Sequence, residues 1–413
     1  MKSSVLKRLT WLLFFGQSIN SAGLIASVTV GTIVGEMLSG QKALAGLPGS
    51  MYFVGNAVSA YPAARLMERT GRRWGLTLGF VIGIVGGVTA GLAILGHSFF
   101  GFLVGYALMG CSRGFTDLAR YAAAEMYPAA ERGRAISQVV LAGTIGGLAG
   151  PNLVPLAGRL MESFHGEPLA GPWFIAAVLF TLGALLMGLF LRPDPSELGR
   201  ALSDSAIVHE AKANEQVRPA RAILSQPGTR VAIGALVIGQ LVMVMLMSIT
   251  SLHMTDHGHG LGDVSIVVIA HTLGMFGLSM ITGRLADNFG RAPTIAVGAG
   301  ILMGACLLAP LSQNTGLIAL ALFLLGLGWN FCYVAGTALL TDTLTLAERG
   351  RIQGSSDVLI GLISALGALG SGLVFATLGY TLMGVVSLMA ALVPMWMALQ
   401  LRQRPAQFEA AGD

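Results

Sequence analysis

The stretch that decides the fold is residues 283–291, which read GRLADNFGR. A related stretch, ARLMERTGRR, occupies residues 64–73, and its Gly-Arg pair lies 219 positions earlier. A second pair repeats the letters AERGR at residues 130–134 and 347–351, with a separation of 217. Two unrelated pairs with nearly the same separation indicate that the two halves of the chain are copies of one unit.

The composition excludes most classes of soluble protein. Of the 413 residues, 54% are hydrophobic and only 11% are charged, whereas a soluble globular protein is about a quarter charged. A disordered chain, a nucleic-acid reader and an ordinary cytosolic enzyme are therefore excluded. What remains is a polytopic membrane protein.

Twelve apolar runs are long enough to cross a bilayer core of about 30 Å as helices. Lipid holds no water that would satisfy stray backbone groups, and the alternating pattern of a membrane barrel is absent. We therefore predict an all-α polytopic membrane protein with 12 transmembrane helices in two six-helix bundles. The predicted helices span residues 10–34, 47–65, 74–96, 99–124, 135–158, 172–191, 231–252, 263–283, 293–311, 315–341, 353–377 and 380–401.

Lysine and arginine fall almost entirely on one side of these helices. The N-terminus, the even-numbered connections and the C-terminal tail hold 21 of the 25, and the odd-numbered connections hold only Lys42 and Arg159. Positive residues mark the cytoplasmic side, so we expect both termini in the cytoplasm of a cell with a bacterial-type inner membrane. We predict bundles at 1–191 and 231–413, the second with a short tail, and a polar cytoplasmic linker at 192–230.

The 283–291 stretch resembles the signature loop of the major facilitator superfamily. The copy in the first half is similar, but it has Ala64 for the opening Gly and Glu68 for the Asp. The resemblance covers essentially the whole chain. It implies a transporter whose two parallel halves alternate about a substrate site between them, near the membrane midplane.

Charged residues at the helix ends are candidates for a cytoplasmic gate. Gly71 and Gly290 permit tight turns, and a carboxylate that faces an arginine across the helix ends would hold that side closed. The other interpretation is that these charges only mark topology and contribute little each. The predicted gate residues are Glu68, Arg69, Gly71, Arg72, Glu125, Gly283, Asp287, Gly290, Arg291, Asp342 and Asp357.

Polar side chains at bilayer depth are costly and indicate function. In the predicted fourth helix, Arg113, Asp117 and Arg120 have the spacing i, i+4, i+7, which places them on one face. A proton on Asp117, or an anionic solute on the arginine, would bias which side opens; the alternative is an ion pair that only orients the helix. The predicted substrate-binding residues are Gln17, Asn20, Arg113, Asp117, Gln240, His271 and Asn330, with Asp117 and His271 as the proton carriers.

Helix five contains Gly146, Gly150 and Pro151, which resemble the core of the superfamily's antiporter motif. The flanking positions match only in part. Small residues also permit close helix packing, so both an exchange function and a packing role stay open.

Histidines cluster near the outer end of helices seven and eight, at His253, His257, His259 and His271. Imidazole binds borderline metals and also titrates near physiological pH. Three interpretations stay open: a structural role, protonation or solute binding centred on His271, and metal transport through the four histidines.

The sequence as a whole predicts a secondary active transporter that moves a small organic solute, coupled to protons and directed outward. The alternatives are proton-coupled uptake of an anionic metabolite, metal-ion transport and a membrane receptor without transport. We expect no enzymatic activity, no cofactor and no bound metal. The expected partners are the lipid bilayer, the solute and protons, with no nucleic acid, and the protein is expected to be a monomer.

Overall fold

The computed structural model describes residues 2–127, 132–199, 218–311 and 313–402. These residues are almost entirely helical, and no β-strand occurs among them. The predicted all-α fold is therefore confirmed. Residues 130 and 131 of the first AERGR repeat, residues 200–217 of the predicted linker and the tail beyond residue 402 lie outside the described residues.

The chain forms two compact units, the first from the helices before the predicted linker together with residues 258–266, and the second from the remaining helices. The predicted limits 1–191, 192–230 and 231–413 stay a prediction, because residues 200–217 are not described. The helices before the linker are α1 (Lys2–Thr29), α2 (Gly31–Ser39), α3 (Leu47–Thr70), α4 (Arg72–Leu95), α5 (Phe99–Thr116), α6 (Ala119–Glu125), α7 (Arg132–Ser163) and α8 (Gly171–Leu185).

The helices after the linker are again mostly long and apolar. They are α9 (Ala220–Ser225), α10 (Pro227–Asp256), α11 (Leu261–Phe276), α12 (Ser279–Phe289), α13 (Arg291–Leu308), α14 (Thr315–Asp342) and α15 (Leu346–Arg402). In α15 only Gly379 has a non-helical backbone, with φ 74° and ψ 176°. This interruption lies between the predicted eleventh and twelfth helices, 353–377 and 380–401.

Three predicted helices are each divided in two. The first is divided into α1 and α2 after Thr29, the fourth into α5 and α6 at Asp117 and Leu118, and the eighth into α11 and α12 at residues 277–278. Hydropathy gives the length of an apolar run, but it does not detect where the backbone hydrogen-bond ladder is interrupted.

Eight helical runs of the described residues are long and apolar enough to cross a membrane. One of them, Ile352–Leu401, has 50 residues, whereas about 20 suffice for one crossing. The predicted second, fourth and fifth crossings, at 47–65, 99–124 and 135–158, are helices but are not among the eight. The count of twelve is therefore confirmed only in part.

Large apolar side chains are exposed on both units. Leu92 and Val178 are more than half exposed in the first unit, and Leu366 and Trp396 are in the second. Soluble monomers rarely expose contiguous apolar surface of this kind, so these faces fit contact with lipid. The interior of the first unit contains a cluster of buried aromatic rings, Phe102, Tyr106, Trp173 and Phe180.

Helices α1 and α7 of the first unit pack closely because glycines lie between them. A Cβ atom added at Gly146 would collide with the carbonyl oxygen of Ser18, and one at Gly150 would lie 2.7 Å from the carbonyl oxygen of Ala22. The Ser18 hydroxyl donates a hydrogen bond of 2.9 Å to the carbonyl oxygen of Ala142. Packing thus accounts for both glycines of the antiporter-like stretch.

We predict that Gly146→Ala lowers the thermal stability of the purified protein. The added methyl group meets backbone that has no room to move, and overpacking of this kind costs about 1–3 kcal/mol. Gly158→Ala is the matched control on the same helix, because the nearest atom to its added Cβ is 3.7 Å away. If the two variants melt at the same temperature, the packing account of Gly146 is wrong.

Candidate functional site

The signature turn of the first unit lies between α3 and α4, at Gly71 and Arg72. Gly71 has φ +90°, a conformation that side chains disfavour. The Arg72 guanidinium binds Glu125 at the end of α6 in a bidentate manner, with Nε 2.9 Å from Oε2 and Nη2 in contact with Oε1. Bidentate arginine–carboxylate pairs are among the strong polar contacts of proteins. The predicted pairing across the helix ends is present here.

Asp194, which was not predicted from the sequence, completes this turn. Its carboxylate accepts hydrogen bonds from the backbone N–H groups of Arg72, at 3.1 Å, and Arg73, at 2.9 Å. Burial by itself would raise the pKa of Asp194, but these bonds and two from Ser196 outweigh it and leave the pKa below its usual value. Asp194 therefore caps the N-terminus of α4 from the beginning of the predicted linker.

The signature turn of the second unit is more open. Gly290 has φ +94°, and Arg291 contacts Asp287 through Nη1 and Asp342, at the end of α14, through Nε at 3.2 Å. The side chains of Asp287 and Asp342 are both more than half exposed. Exposed ion pairs contribute only about 0–1 kcal/mol each, so this cluster is weaker than that of the first unit.

The remaining predicted gate residues are not part of these two clusters. Glu68, Arg69 and Asp357 are exposed. Within the described ranges, the side chains of Glu68 and Arg69 make no hydrogen bond. Gly283 faces open space. Of the predicted gate set, the structure therefore joins one arginine with its carboxylate partners in each unit.

A third charged cluster, again not predicted, surrounds Glu348 near the start of α15. Glu348 is fully buried, and Arg218 donates to both of its carboxylate oxygens, from Nε at 2.9 Å and from Nη2 at 2.7 Å. The backbone N–H of Thr345 donates as well, at 3.1 Å. The hydrogen bonds from Arg218 lower the pKa of Glu348 from 4.5 to about 2.

Arg113 and Asp117 form the predicted pair at the end of α5. Arg113 Nε lies 3.2 Å from Asp117 Oδ2, and the two side chains are 41% and 35% exposed. Arg113 Nη1 also donates to the hydroxyl of Tyr52 on α3, at 3.1 Å. Tyr52 was not predicted, because nothing in the local sequence of α3 indicates a contact with a residue 61 positions later. Arg120 lies beyond the turn, with its guanidinium 4.9 Å from the ring of Tyr121.

Gln240 and His271, two of the predicted substrate residues, are bonded within the second unit. Gln240 donates to Ser364, at 2.9 Å, and accepts from Trp329, at 2.8 Å. His271 is buried, with Nδ1 2.9 Å from the carbonyl oxygen of Leu322. These contacts explain both side chains as internal links between helices, and solute binding by them stays a prediction.

Asn330 holds the interruption between α11 and α12. Its amide nitrogen donates to the carbonyl oxygen of Met275, at 2.6 Å, and to the hydroxyl of Ser279, at 2.8 Å, while its oxygen accepts from Thr282, at 2.7 Å. Side chains re-satisfy backbone groups where a membrane helix is broken. Asn330 therefore has a structural role that was not predicted from the sequence.

Asn20 differs from Gln240 and Asn330. It is 1% exposed, and its Oδ1 has no hydrogen-bond partner within the described ranges. Gln17 lies one turn earlier on α1 and is partly exposed. A buried amide oxygen without a partner is costly. Asn20 therefore stays a candidate for polar contact with a solute in the first unit.

The histidines do not converge on one point. His253 stacks on Tyr380 with ring centroids 4.1 Å apart, and His257 Nδ1 lies 2.7 Å from the carbonyl oxygen of His253. His259 Nδ1 is 3.9 Å from Asp263 Oδ2, and His271 bonds Leu322 instead. Within the described ranges, no group of three or more His, Cys, Asp or Glu side chains is placed to hold a metal ion.

Comparison with known proteins agrees with this architecture. The family model for the Major Facilitator Superfamily matches residues 10–262 and 231–413. The chain belongs to the major facilitator superfamily. The uncharacterized MFS-type transporter YdeG of Bacillus subtilis is 34% identical over 402 residues, which cover 96% of this chain and 93% of YdeG. The protein is thus an integral membrane protein of a transporter family.

Two further superfamily members show how far the likeness extends. The riboflavin transporter RfnT of Brucella anthropi is 28% identical over 400 residues, 97% of each chain. The crystal structure of a POT family transporter in complex with 5-aminolevulinic acid has a TM-score of 0.68 and 13% identity, and the match covers 95% of this chain and 96% of that chain. At that identity, the second likeness shows the fold alone.

We predict that Glu348→Gln destabilises the protein in a pH-dependent way. Because folding lowers the pKa of Glu348, its stabilising contribution is present above about pH 4.5 and is lost as the pH falls toward 2. The difference in melting temperature between wild type and Glu348→Gln is therefore constant from pH 7 to about 5 and shrinks below about 4.5. Thermal unfolding of the two purified proteins across this pH range measures the difference.

Glu68→Gln serves as the control, since Glu68 is exposed and its replacement should leave the melting temperature almost unchanged. A difference between wild type and Glu348→Gln that grows as the pH falls would contradict the account of this cluster.

Proposed function

We propose that this protein is a secondary active transporter that moves a small organic solute by alternating access, coupled to protons at Asp117. The observation that carries the proposal is the contact of Arg113 with both Asp117 and Tyr52. Both charged side chains are partly exposed, so a proton or a solute can reach them.

The pair has two states that differ in charge. While Asp117 is ionised, its carboxylate holds the Arg113 guanidinium. A proton on Asp117 removes that attraction, and an acidic group of a solute competes for the same guanidinium. Either event separates the two side chains, which supports a site where proton and solute affect each other.

A purely structural role explains the pair less well. Solvent-accessible ion pairs contribute only about 0–1 kcal/mol, so such a pair is weak evidence for a role in stability. Charges within membrane helices are rare and mark solute pathways and proton relays. Asn20 and Gln17 on α1 are proposed as further contacts for the solute.

The two signature turns are proposed as the cytoplasmic gate. Opening on that side would break Arg72–Glu125 in the first unit and Arg291–Asp342 in the second. We place these turns in the cytoplasm of a bacterial-type cell because lysine and arginine concentrate on their side of the membrane. Export stays our proposed direction. It rests on the antiporter-like stretch alone, whose glycines are also explained by packing.

Riboflavin transport is the second candidate, because RfnT, a riboflavin transporter, matches 97% of the chain. We predict that riboflavin, if it is the solute, raises the melting temperature of the purified protein as its concentration increases, since a ligand that prefers the folded state stabilises it. A flat response up to millimolar riboflavin removes this candidate. In that case, a panel of acidic, neutral and basic solutes is tested in the same assay.

For the coupling proposal, we predict that Asp117→Asn abolishes solute-driven proton movement in proteoliposomes that contain a pH-sensitive dye, while it leaves solute binding within about threefold. Asn keeps the shape of Asp but holds no titratable proton. Arg113→Gln is expected to weaken binding at least tenfold, because a charged hydrogen bond contributes about 1.5–3 kcal/mol.

Asp263→Asn and Arg159→Gln are the matched controls. Arg159 lies in a predicted outer connection, and its side chain bonds only the Pro155 carbonyl within the described ranges. Asp263 lies in the first turn of α11, at the predicted outer end of the eighth helix. Both should behave as wild type. Proton movement at the wild-type rate in Asp117→Asn would show that another group carries the proton.

A further inference from the structure

Arg218 lies in the predicted linker, just before α9, and contacts the turn between α14 and α15. In addition to the two side-chain contacts with Glu348, its backbone N–H donates to Glu348 Oε1 at 3.0 Å. Its Nη2 also donates to the carbonyl oxygen of Thr343, at 2.9 Å. One arginine thus contacts both ends of a short turn, the residue after α14 and a residue in the first turn of α15.

The turn itself is organised around Glu348. The sequence Thr345-Leu346-Ala347-Glu348 has the form of a capping box, and the Thr345 N–H does bond Glu348 Oε2. A capping glutamate is usually solvated, whereas Glu348 is fully buried. A buried carboxylate needs a partner charge, and Arg218 supplies it.

The same turn carries the carboxylate partner of the second signature turn. Asp342 is the last residue of α14 and bonds Arg291, and Thr343, which Arg218 holds, is its neighbour. Thr343 also accepts a hydrogen bond of 3.1 Å from Thr229 at the start of α10. Arg218 is therefore one residue removed from the Arg291–Asp342 contact, although it does not touch it.

We propose that Arg218 is a positioning residue for the gate of the second unit: by fixing Thr343 and Glu348, it fixes Asp342 where Arg291 can reach it. The role as a gate residue rests on the proposed function, but the positioning itself does not. A simple cap would stabilise α15 and leave Arg291 unaffected. The proposal instead requires that loss of Arg218 loosens the signature turn, residues 287–292.

The first unit supports this interpretation independently. Asp194, near the start of the predicted linker, bonds the backbone of Arg72 and Arg73, and Arg72 in turn binds Glu125. In each unit, one charged residue of the predicted linker thus bonds a residue of an arginine–carboxylate pair or its neighbour in the chain. These two linker residues are parts of the two turn clusters.

The test is hydrogen–deuterium exchange on the purified full-length chain, which needs no solute. We predict that Arg218→Gln speeds amide exchange at least tenfold both in residues 342–348 and in residues 287–292. Arg218→Lys, which keeps the charge but cannot contact both carboxylate oxygens and Thr343 together, should lie between this variant and wild type. Arg221→Gln, at an exposed arginine for which the described ranges show no hydrogen bond or ion pair, should match wild type.

Faster exchange in 342–348 with no change in 287–292 would reduce Arg218 to a local cap and overturn the proposal, as would no change in either. If Arg218→Gln does not fold, amide exchange of Arg218→Lys in the same two segments tests the proposal. These results stand even if no solute drives proton movement in the wild type, so they are separable from failure of the proposed function. Where transport is active, the proposal further requires a maximal rate lowered at least threefold in Arg218→Gln with the KM unchanged.

Discussion

The constraint behind this structure is that lipid offers no hydrogen bonds. Every backbone group within the bilayer must be satisfied by the chain itself, which leaves helices as the solution for this composition. The same constraint makes each interruption of a helix informative. The break between α11 and α12 persists because Asn330 binds the groups that the broken helix leaves open. Charges are accordingly confined to helix ends, turns and a few pairs.

The charged clusters divide into those that join distant segments and one that we propose changes its charge. Arg72 with Glu125 and Arg218 with Glu348 join distant segments by two or more hydrogen bonds each. The contact between Arg113 and Asp117 is different, because it joins residues only four apart and stays accessible. Only the bond from Arg113 to Tyr52 reaches another helix, so a function in transport explains Asp117 better than a role in stability.

The sequence predicted the helical class, the family and the Arg113–Asp117 pair, because hydropathy, internal repetition and helical spacing are all local properties. It predicted the Arg72–Glu125 and Arg291–Asp342 contacts through the repeated turn. It did not predict Tyr52, Asp194 or Arg218, since each bonds a residue more than sixty positions away and lies in no repeated motif. It also favoured Gln240, His271 and Asn330 as solute ligands, where bonds to neighbouring helices account for them. Polarity at bilayer depth identifies residues that need a partner, but it does not tell whether that partner is a solute or another helix.

The central claim is that solute binding and proton binding are coupled through one pair of side chains, Arg113 and Asp117. The most direct measurement is the number of protons released or taken up when solute binds to the detergent-solubilised protein in weak buffer, followed with a pH indicator. The account predicts about one proton per bound solute for wild type, with its sign giving the mode of coupling, and none for Asp117→Asn. The same proton count in both proteins would contradict it.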